Sequence, residues 1–485
     1  MIRVRIPPSP TGLLHIGTVR TALYNYLFAK HGDADGPGTM VFRIENTDKE
    51  RSTKEFEEGI INGLVKLGIA GDEGVHIPGS KGYRQSERTE FYEKYLKQLL
   101  DEDKAYFCGC TKERLEEMRN EQQAKKLPPR YDGTCAGKKL TEGVIRLRVP
   151  ADRGDIKWND LVRGETVIHA RELDDFVIAR AIDDPLYHLT VVADDHDMKI
   201  THVIRGEDHI SNTPKQILLF EAFGWEVPEF AHLPLILNED KSKLSKRKNK
   251  VSVDDYLAEG YLPEALLNFL ALLGWNTPDE QEIFMMDELI EKFTLDRVHK
   301  GGAVFDVKKL DWVNGEYIKK MITEDVDGFY EMAKVFIVGN VPTEDEVLIK
   351  KILRDPDFEG RFKKLSEIPG GLAPLFTKLP DYPLELIARE KFQITPDILR
   401  KVLEKAIEVT DHLEWKKGDG SKSQMISDAF VCIVSELGLK NGQVLWPVRV
   451  ALSGLEKSPN FATLAVYLGK EEVLKRLKTA LKKVS

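Results

Sequence analysis

The stretch Met1-Ile2-Arg3-Val4-Arg5-Ile6-Pro7-Pro8-Ser9-Pro10-Thr11-Gly12-Leu13-Leu14-His15-Ile16-Gly17 decides the fold of this chain. Apolar residues alternate through its first six positions, which predicts a strand, and the Pro/Ser/Gly run that follows predicts a turn. Helical spacing of apolar residues then begins at His15 to Gly17 and ends at Gly32. A strand that delivers a histidine and backbone amides to a helix N-terminus builds an anion site, for which phosphate is the natural ligand.

A second candidate phosphate element, Lys243-Leu244-Ser245-Lys246-Arg247, lies far along the chain, after the run 238–242. Its ammonium groups could follow a phosphate as negative charge develops in a phosphoryl or nucleotidyl transfer. Taken alone, each element has a plain structural explanation. His15 could simply begin a helix and hydrogen-bond to the backbone, and Lys243–Arg247 could be a solvated basic loop. Their joint occurrence beside an α/β domain favours a nucleotide site.

The overall composition indicates a globular protein of about three domains, because 485 residues exceed the usual length of a single domain. Hydrophobic residues make up 42% and charged residues 31%, and no apolar run approaches the ~20 residues that span a membrane. The N-terminus lacks the apolar segment of a signal peptide, and four cysteines in this length exclude a disulfide scaffold. We therefore expect a cytoplasmic protein with no membrane partner.

The charge distribution is uneven. The formal net charge of −9 argues against a general nucleic-acid coat, yet residues 241–250 and the C-terminal end from Lys475 to Lys483 are strongly basic. Confined basic patches suit a partner that touches a limited surface, and they suit the solvated surface of an enzyme equally well.

Strand and helix patterns alternate in the first part of the chain, change character between about 85 and 190, and then resume. Interrupted alternation predicts one parallel α/β domain that carries an inserted module, and the pattern beyond about 250 is almost wholly helical. A helix is expected from the capping box Ser52–Glu55, and another with Asn212 or Thr213 as cap, Pro214 at its first position and Gly224 at its end. Strands are predicted at Met40–Ile44, Val144–Val149, Tyr187–Ala193 and Thr201–Ile204.

Two signatures carry a resemblance to a known family. The segments Pro8–Gly12 with His15–Gly17, and Lys243–Arg247, resemble the two signatures of class I aminoacyl-tRNA synthetases, and the finer match is to bacterial-type glutamyl enzymes. The finer match covers nearly the whole chain, through Arg43–Asp48, Tyr83–Arg88, Tyr131–Gly133, Asp174–Ile178, Val203–His209, Asp311–Gly315, Gly438–Gly442 and Pro447–Leu452. It implies that L-glutamate, ATP with Mg²⁺, and tRNA(Glu) are the substrates. A monomer is our starting presumption.

The resemblance also implies a domain plan. It implies a Rossmann-like parallel-sheet catalytic domain with an inserted α+β acceptor-end-binding module, followed by an all-α C-terminal half. The expected segments are 1–84 and 191–242 for the catalytic domain, 85–190 for the module, 243–325 for the Lys243–Arg247 loop and stem-contact domain, and 326–390 and 391–485 for two helical anticodon-binding subdomains.

The implied reaction joins the carboxylate of glutamate to the α-phosphate of ATP, and then transfers the glutamyl group to the terminal adenosine of tRNA. By resemblance, His15 and the amide of Gly17 hold the triphosphate, Lys246 holds the departing pyrophosphate, and Lys243 has a secondary role. The fourth position of the first signature is Thr18 rather than histidine, so His15 is the only imidazole in that signature. Positioning and charge stabilisation carry the rate in such a reaction.

Glutamate presents two carboxylates and one ammonium, so its pocket needs fixed cations and an anion. Arg5 and Arg205 end two predicted strands, where ligands of parallel sheets bind, and arginine suits bidentate carboxylate recognition. By resemblance both face the substrate side chain beside Tyr187, while Glu45 takes the ammonium and Ser9 lies nearby. The alternative for each arginine is a surface ion pair.

The acidic run Asp194-Asp195-His196 has metal-binding residue types, but we favour a hydrogen-bonded turn without metal.

Four residues of the inserted module form a candidate zinc site. Cys108, Cys110 and Cys135 have a spacing that suggests a structural tetrahedral site, and Tyr131 lies four residues before the last of them. Zinc-bearing relatives complete a similar set with histidine or tyrosine, and Gly137 stands at the histidine position, so Tyr131 or water would be the fourth ligand. A metal-free cluster that simply packs is the alternative. The remaining cysteine, Cys432, is expected in the core because its neighbours are apolar.

The helical half resembles the anticodon-binding region of bacterial glutamyl enzymes, since it shows none of the strand alternation of a β-barrel. Arg449, Ser458 and Pro459 are the candidate tRNA contacts, and Arg449 could stack on or hydrogen-bond an unstacked base. A surface ion pair is the alternative for Arg449. Phe461 is expected in the core rather than as a stacking platform.

Several other functions compete with glutamate–tRNA ligation. Within the family, a non-discriminating enzyme also charges tRNA(Gln) with glutamate, and a shortened tRNA-modifying relative lacks the helical half. Outside it stand a small-molecule nucleotidyltransferase, which has no need of so long a helical tail, and a non-catalytic tRNA-binding paralogue. The intact candidate catalytic residues argue against the last of these.

Overall fold

The computed structural model describes residues 1–48, 50–244, 252–341 and 345–484. The chain divides into two compact units. The first is formed by Met1–Ala258 and Pro263–Leu310, and the second by Glu259–Leu262 and Asp311–Ser485. Across the described residues, no helix combines the length and the apolar character that a membrane crossing requires.

The strands of the described residues all fall in the first unit. They are β1 Arg3–Ile6, β2 Thr39–Phe42, β3 Glu73–Gly74, β4 Ala105–Cys108, β5 Val144–Leu147, β6 Asp155–Asp160, β7 Gly164–His169, β8 Val177–Ala181, β9 Asp184–Pro185, β10 His202–Gly206, β11 Glu229–Leu233, β12 Ile236–Leu237 and β13 Ala303–Val304.

Parallel pairing confirms the predicted α/β class. Strands β1, β2 and β3 pair in parallel, with Arg5 opposite Val41, and β10 pairs in parallel with β11. The backbone N–H of Thr201, just before β10, donates to the carbonyl of Arg3 in β1 at 2.9 Å, so the two parallel sets lie side by side. Strand β11 also pairs with β6, which forms an antiparallel hairpin with β7. Helices connect the parallel strands, as this pairing demands.

A separate antiparallel sheet, in the order β4-β5-β8-β9, interrupts the parallel sheet in sequence. It occupies the stretch where the sequence pattern changes character.

The helices account for most of the remaining described residues. They are α1 Ile16–His31, α2 Lys54–Lys66, α3 Thr89–Asp101, α4 Lys112–Ala124, α5 Tyr187–Asp197, α6 Thr213–Phe223, α7 Val253–Ala258, α8 Pro263–Ala271, α9 Met286–Lys292, α10 Val307–Glu324, α11 Val326–Ile337, α12 Glu346–Leu353, α13 Pro356–Glu359, α14 Ile368–Phe376, α15 Leu384–Ile387, α16 Pro396–His412, α17 Ser423–Glu436, α18 Asn441–Ser453, α19 Phe461–Leu468 and α20 Lys470–Val484.

Local signals explain the ends of the helices that frame the site. Helix α1 begins after His15 and ends at Gly32, whose φ of 75° favours glycine. Helix α6 has Pro214 in its first turn and ends at Gly224, which has a left-handed φ of 70°. Helix α2 begins one residue later than predicted, because Thr53 rather than Ser52 accepts the capping hydrogen bond from the Phe56 amide.

One predicted strand is wrong. Residues Tyr187–Ala193 begin helix α5 instead of forming a strand. Every residue from Leu189 to Asp195 is buried, so the segment shows no exposed period that could separate a helix from a strand. The metal-like residues Asp194, Asp195 and His196 continue this helix, and they do not form the turn that we expected.

The other predicted strands are present with ends that shift by one or two residues. The expectation for Cys432 is wrong as well, since its side chain is exposed on α17 while Phe430 and Ile433 of the same helix are buried.

Candidate active site

A cleft of about 450 Å³ opens where β1 and β10 end. The carboxyl ends of parallel strands are the usual ligand position in such sheets, because the loops that follow them leave a crevice. Eight residues predicted from the sequence line this cleft: Arg5, Ser9, His15, Gly17, Glu45, Tyr187, Arg205 and Lys243. The predicted Lys246 lies outside the described residues.

His15 is the N-cap of α1. Its Nδ1 accepts a hydrogen bond from the backbone N–H of Gly17 at 3.0 Å, so the imidazole uses the amide that we expected to bind phosphate. A Cβ at position 17 would lie 3.3 Å from that nitrogen, which explains the glycine. The first turn of α1 holds no acidic residue, so the positive end of the helix dipole faces the cleft without a compensating charge from that turn.

Arg5 projects from β1 and is buried. Its Nε lies 3.3 Å from Oδ1 of Asp195, and Asp195 also accepts a bond of 2.5 Å from Nη1 of Arg43. The terminal nitrogen Nη1 of Arg5 is also buried, and it has no hydrogen-bond partner among the described residues. A buried guanidinium N–H without an acceptor is costly, and a ligand carboxylate would satisfy it.

Glu45 contributes a buried carboxyl group to the cleft. Its Oε1 accepts a bond of 3.0 Å from Nη2 of Arg43, yet burial raises the pKa of Glu45 above its usual value. A ligand ammonium would therefore stabilise the charged carboxylate. Tyr187 begins α5 beside it, and burial together with the charge of Glu45 raises the pKa of the Tyr187 hydroxyl, which stays a neutral donor.

Arg205 is buried in β10 and is held by three neutral groups. Its Nε donates to Nε2 of His232 at 3.1 Å, Nη1 to Gln216 at 2.8 Å, and Nη2 to Thr213 at 2.8 Å. No carboxylate of the described residues forms a salt bridge with it, and burial lowers the pKa of Arg205 to about 10. The cleft therefore contains a guanidinium whose charge lacks a direct counterion.

Lys243 lines the same cleft. Its Nζ lies 3.1 Å from Oδ2 of Asp208, and both side chains line the cleft. Burial opposes ionisation of Asp208, but the hydrogen bond from Lys243 lowers the pKa of that carboxyl overall.

The three predicted cysteines come together beside Tyr131. The Sγ atoms of Cys108, Cys110 and Cys135 all lie within 4.8 Å of one another. The Tyr131 hydroxyl lies 3.3 Å from Cys108 Sγ and 3.7 Å from Cys110 Sγ, and it accepts a bond from the backbone N–H of Cys135 at 3.0 Å. Burial opposes the thiolate, but hydrogen bonds with Tyr131 and the Cys110 backbone lower the pKa of Cys108 to about 7.

In the second unit, Arg449 and Ser458 are partners. Nη1 of Arg449 donates to Oγ of Ser458 at 2.8 Å, and Nη2 donates to the carbonyl of Glu456 at 2.7 Å. The guanidinium carbon lies 4.6 Å from the centre of the Trp446 ring. Ser458 and Pro459 are buried, and the Ser458 hydroxyl that accepts from Arg449 donates in turn to the carbonyl of Pro459 at 3.2 Å. Phe461 is buried, as expected.

Comparisons with known proteins decide the family. The family model described as tRNA synthetases class I (E and Q), catalytic domain, matches residues 1–312, and the model described as anticodon binding domain matches residues 328–481. The glutamate--tRNA ligase of Carboxydothermus hydrogenoformans is 42% identical to the chain, over 98% of the chain and 99% of the relative. The chain belongs to the class I glutamate--tRNA ligase family.

Further relatives agree with this assignment. The glutamate--tRNA ligase of Elusimicrobium minutum is 42% identical over 99% of each chain. The crystal structure of a glutamate tRNA ligase from Elizabethkingia meningosepticum, in complex with its amino acid, superposes with a TM-score of 0.84 at 34% identity and 100% coverage of both chains. As a member of the glutamate--tRNA ligase family, the chain is a class I aminoacyl-tRNA synthetase. The catalytic family model covers the part with alternating strands and helices, and the anticodon-binding model lies in the helical part.

In this glutamate--tRNA ligase family member, local sequence patterns do not reveal the residues that position the predicted site residues. Asp195, whose sequence context suggests a turn or a metal ligand, is the buried partner of Arg5 and Arg43. Among the described residues, the cysteines are the only group with metal-binding geometry. Asp160 and His232, which support Arg205, carry no motif, and a histidine in the apolar strand sequence Glu229–Leu233 was the only signal available.

Proposed function

We propose that this chain attaches L-glutamate to tRNA(Glu) in two steps. In the first, the α-carboxylate oxygen of glutamate bonds to the α-phosphorus of ATP, the bond to the β-phosphate oxygen breaks, and pyrophosphate leaves. In the second, a ribose hydroxyl of the terminal adenosine attacks the activated carbonyl, and AMP leaves. The observation that supports this most is that Arg5 and Arg205 share one cleft with the uncompensated N-terminus of α1.

The amino-acid end of the cleft matches the charges of glutamate. Arg5 has an unpartnered buried N–H, and Arg205 has a charge without a direct counterion, so two cations are available to carboxylate oxygens. Glu45 offers a desolvated carboxylate to the ammonium, and Tyr187 a neutral hydroxyl. The side chain of glutamine would leave the arginine charge uncompensated, so glutamine should bind less favourably than glutamate.

The nucleotide end consists of the start of α1 and Lys243. The helix dipole and the imidazole of His15 would stabilise the negative charge that develops on the phosphates in the transition state. Lys243 can move from Asp208 to a phosphate oxygen, because both partners are substantially exposed and the pair is weak. Mg²⁺ enters with ATP, as part of the substrate, and neutralises phosphate charge.

Pyrophosphate exchange tests this proposal. Radiolabelled pyrophosphate should enter ATP when glutamate and tRNA(Glu) are present, and glutamine in place of glutamate should support far less exchange. Family members of this kind need tRNA for amino-acid activation, so exchange without tRNA would contradict the proposal. A parallel aminoacylation with tRNA(Gln) measures whether that tRNA is also charged.

We also propose that Cys108, Cys110, Cys135 and Tyr131 hold one structural zinc ion. Their donor atoms fit this ion, because three sulfur atoms at mutual distances such as the 3.6 Å between Cys110 and Cys135 surround a point that tetrahedral zinc could occupy. The ion would tie β4 to the loop that carries Tyr131, and it would stabilise the module by binding only its folded form.

Metal analysis is the test of the zinc site. The purified wild-type chain should contain about one zinc per molecule, and Cys135→Ser should lose most of it. Cys432→Ser is the matched control, because Cys432 is exposed and lies in the other unit. A zinc content far below one equivalent in protein that has never met a chelator would rule the site out.

For the tRNA, we propose that Arg449 contacts an unstacked anticodon base. Arg389 and Arg449 both lie against the Trp446 ring, at 4.7 and 4.6 Å from its centre, and this half-buried group presents cations and an aromatic face. RNA bases stack on such faces and hydrogen-bond to guanidinium groups.

Removal of Arg449 should weaken tRNA binding alone. Arg449→Ala is expected to raise the KM for tRNA about 10-fold, in line with the loss of one base contact, and to leave the KM for glutamate unchanged. Arg400→Ala removes an exposed arginine of the same unit and serves as the control. If both variants change the tRNA KM equally, Arg449 contributes only general positive charge, and its role as a base contact is wrong.

A further inference from the structure

Behind Arg205 lies a buried pair that the proposed reaction does not use directly. Asp160 is the last residue of β6 and His232 belongs to β11, and both side chains are buried. Oδ2 of Asp160 lies 2.5 Å from Nδ1 of His232. Oδ1 of Asp160 accepts the backbone N–H groups of Val162, Arg163 and His232 at 3.1, 2.9 and 3.1 Å.

These bonds determine which imidazole nitrogen of His232 carries the proton. Asp160 is ionised, because hydrogen bonds from His232 and from backbone N–H groups lower its pKa in spite of burial. A carboxylate only accepts, so Nδ1 of His232 is the donor. Burial lowers the pKa of His232, so the ring is neutral and its Nε2 carries a lone pair. That lone pair accepts the Nε–H of Arg205, and the hydroxyl of Thr213 also lies 3.1 Å from Nε2.

The result is a guanidinium oriented by neutral acceptors. His232, Thr213 and Gln216 take three of the five N–H groups of Arg205, and the other two have no acceptor among the described residues. Two N–H groups are what a carboxylate requires for a bidentate pair. A carboxylate in place of His232 would fix the arginine equally well, but it would cancel the positive charge that attracts the substrate.

We propose that Asp160 and His232 are positioning residues that make the cleft select a side-chain carboxylate over a carboxamide. Asp160 fixes the His232 tautomer, and the tautomer keeps Arg205 oriented and charged toward the cleft. This inference rests on the proposed function, in which Arg205 faces the glutamate side chain. It concerns two residues that do not line the cleft themselves.

Asp160→Asn tests the tautomer directly. The asparagine amide can donate to Nδ1 of His232, and the ring proton then moves to Nε2. The Nε2–H of His232 would face the Nε–H of Arg205, so two donors would meet without an acceptor between them. We expect the KM for glutamate to rise about 10- to 100-fold, the cost of a lost hydrogen bond to a charged group, while the KM for ATP stays within about 2-fold. The preference for glutamate over glutamine should fall by a similar factor.

A double-mutant cycle separates this role from a general structural one. His232→Gln retains an acceptor for Arg205 but has no tautomer, so Asp160→Asn should add little to the glutamate KM in the His232→Gln background. Asp155→Asn is the matched control, because Asp155 lies on the same strand, 2.7 Å from Nδ1 of His169, and outside the cleft. It should leave both KM values unchanged.

The outcomes divide clearly. An unchanged glutamate KM in Asp160→Asn, or equal rises for glutamate and ATP, overturns the inference while wild-type exchange activity still supports the proposed function. If Asp160→Asn fails to fold, ¹⁵N NMR of histidine-labelled wild-type enzyme decides. A His232 signal with the proton on Nδ1, assigned by its loss in His232→Gln, supports the inference, and a proton on Nε2 overturns it.

Discussion

Arg205→Gln is expected to lower kcat/KM for glutamate by about 10²- to 10³-fold, the largest effect of any single substitution in the cleft. The variant removes a buried charge that no carboxylate of the described residues pairs with, so the loss falls on the ligand carboxylate rather than on an internal ion pair. Most of it should appear in the KM for glutamate, because we propose that the arginine contacts the part of the substrate that does not react.

The control for this prediction is Arg3→Gln. Arg3 projects from the same strand as Arg5, but it pairs with Glu73 at 2.7 Å, is partly exposed, and does not line the cleft. It should leave glutamate kinetics unchanged and lower stability slightly, as a partly exposed ion pair contributes little. Steady-state kinetics with glutamate and with ATP measure both variants. An Arg205→Gln enzyme with a normal glutamate KM would place the substrate carboxylate elsewhere.

His15→Asn is expected to lower kcat for glutamyl-adenylate formation about 10²-fold with little change in the KM for glutamate. The variant removes the imidazole that we place beside the phosphates. Asparagine is itself a good N-cap, so the start of α1 and the thermal stability of the chain should be preserved. His15→Ala loses the same catalysis and also the cap, and it should cost about 1 kcal/mol of stability.

The comparison of these two variants separates catalysis from folding. His31→Asn changes the same residue type at the opposite end of α1, where the exposed ring contacts the Ile290 carbonyl, and it should alter neither rate nor stability beyond experimental error. Single-turnover adenylate formation together with thermal unfolding provides the readout. Equal activity of His15→Asn and wild type would mean that the imidazole serves only as a cap.

Much of the fold and the cleft could be predicted because local signals coincide with the site. The Pro/Ser/Gly turn after β1, the cap at His15 and the ends of α1 at Gly32 and of α6 at Gly224 are all short-range features. They place Arg5 and His15 near each other from sequence alone.

The remainder depends on long-range packing that no local pattern encodes. Helix α5 is buried on all sides, so its periodicity could not distinguish it from a strand, and Tyr187 reached the cleft from a helix instead. His232 and Asp160 are 72 positions apart and meet only because β11 pairs with β6. The exposure of Cys432 depends on which face of α17 packs inward, a choice that its apolar neighbours did not reveal.

The register of β1 ties folding to function. Arg5 stands opposite Val41 in the ladder, and successive side chains of a strand point to opposite faces, so a slip of one residue would turn its guanidinium away from the cleft. The same backbone ladder that holds the sheet together therefore aims Arg5 into the cleft. Denaturants that melt this ladder should therefore abolish catalysis in the same step that they melt it.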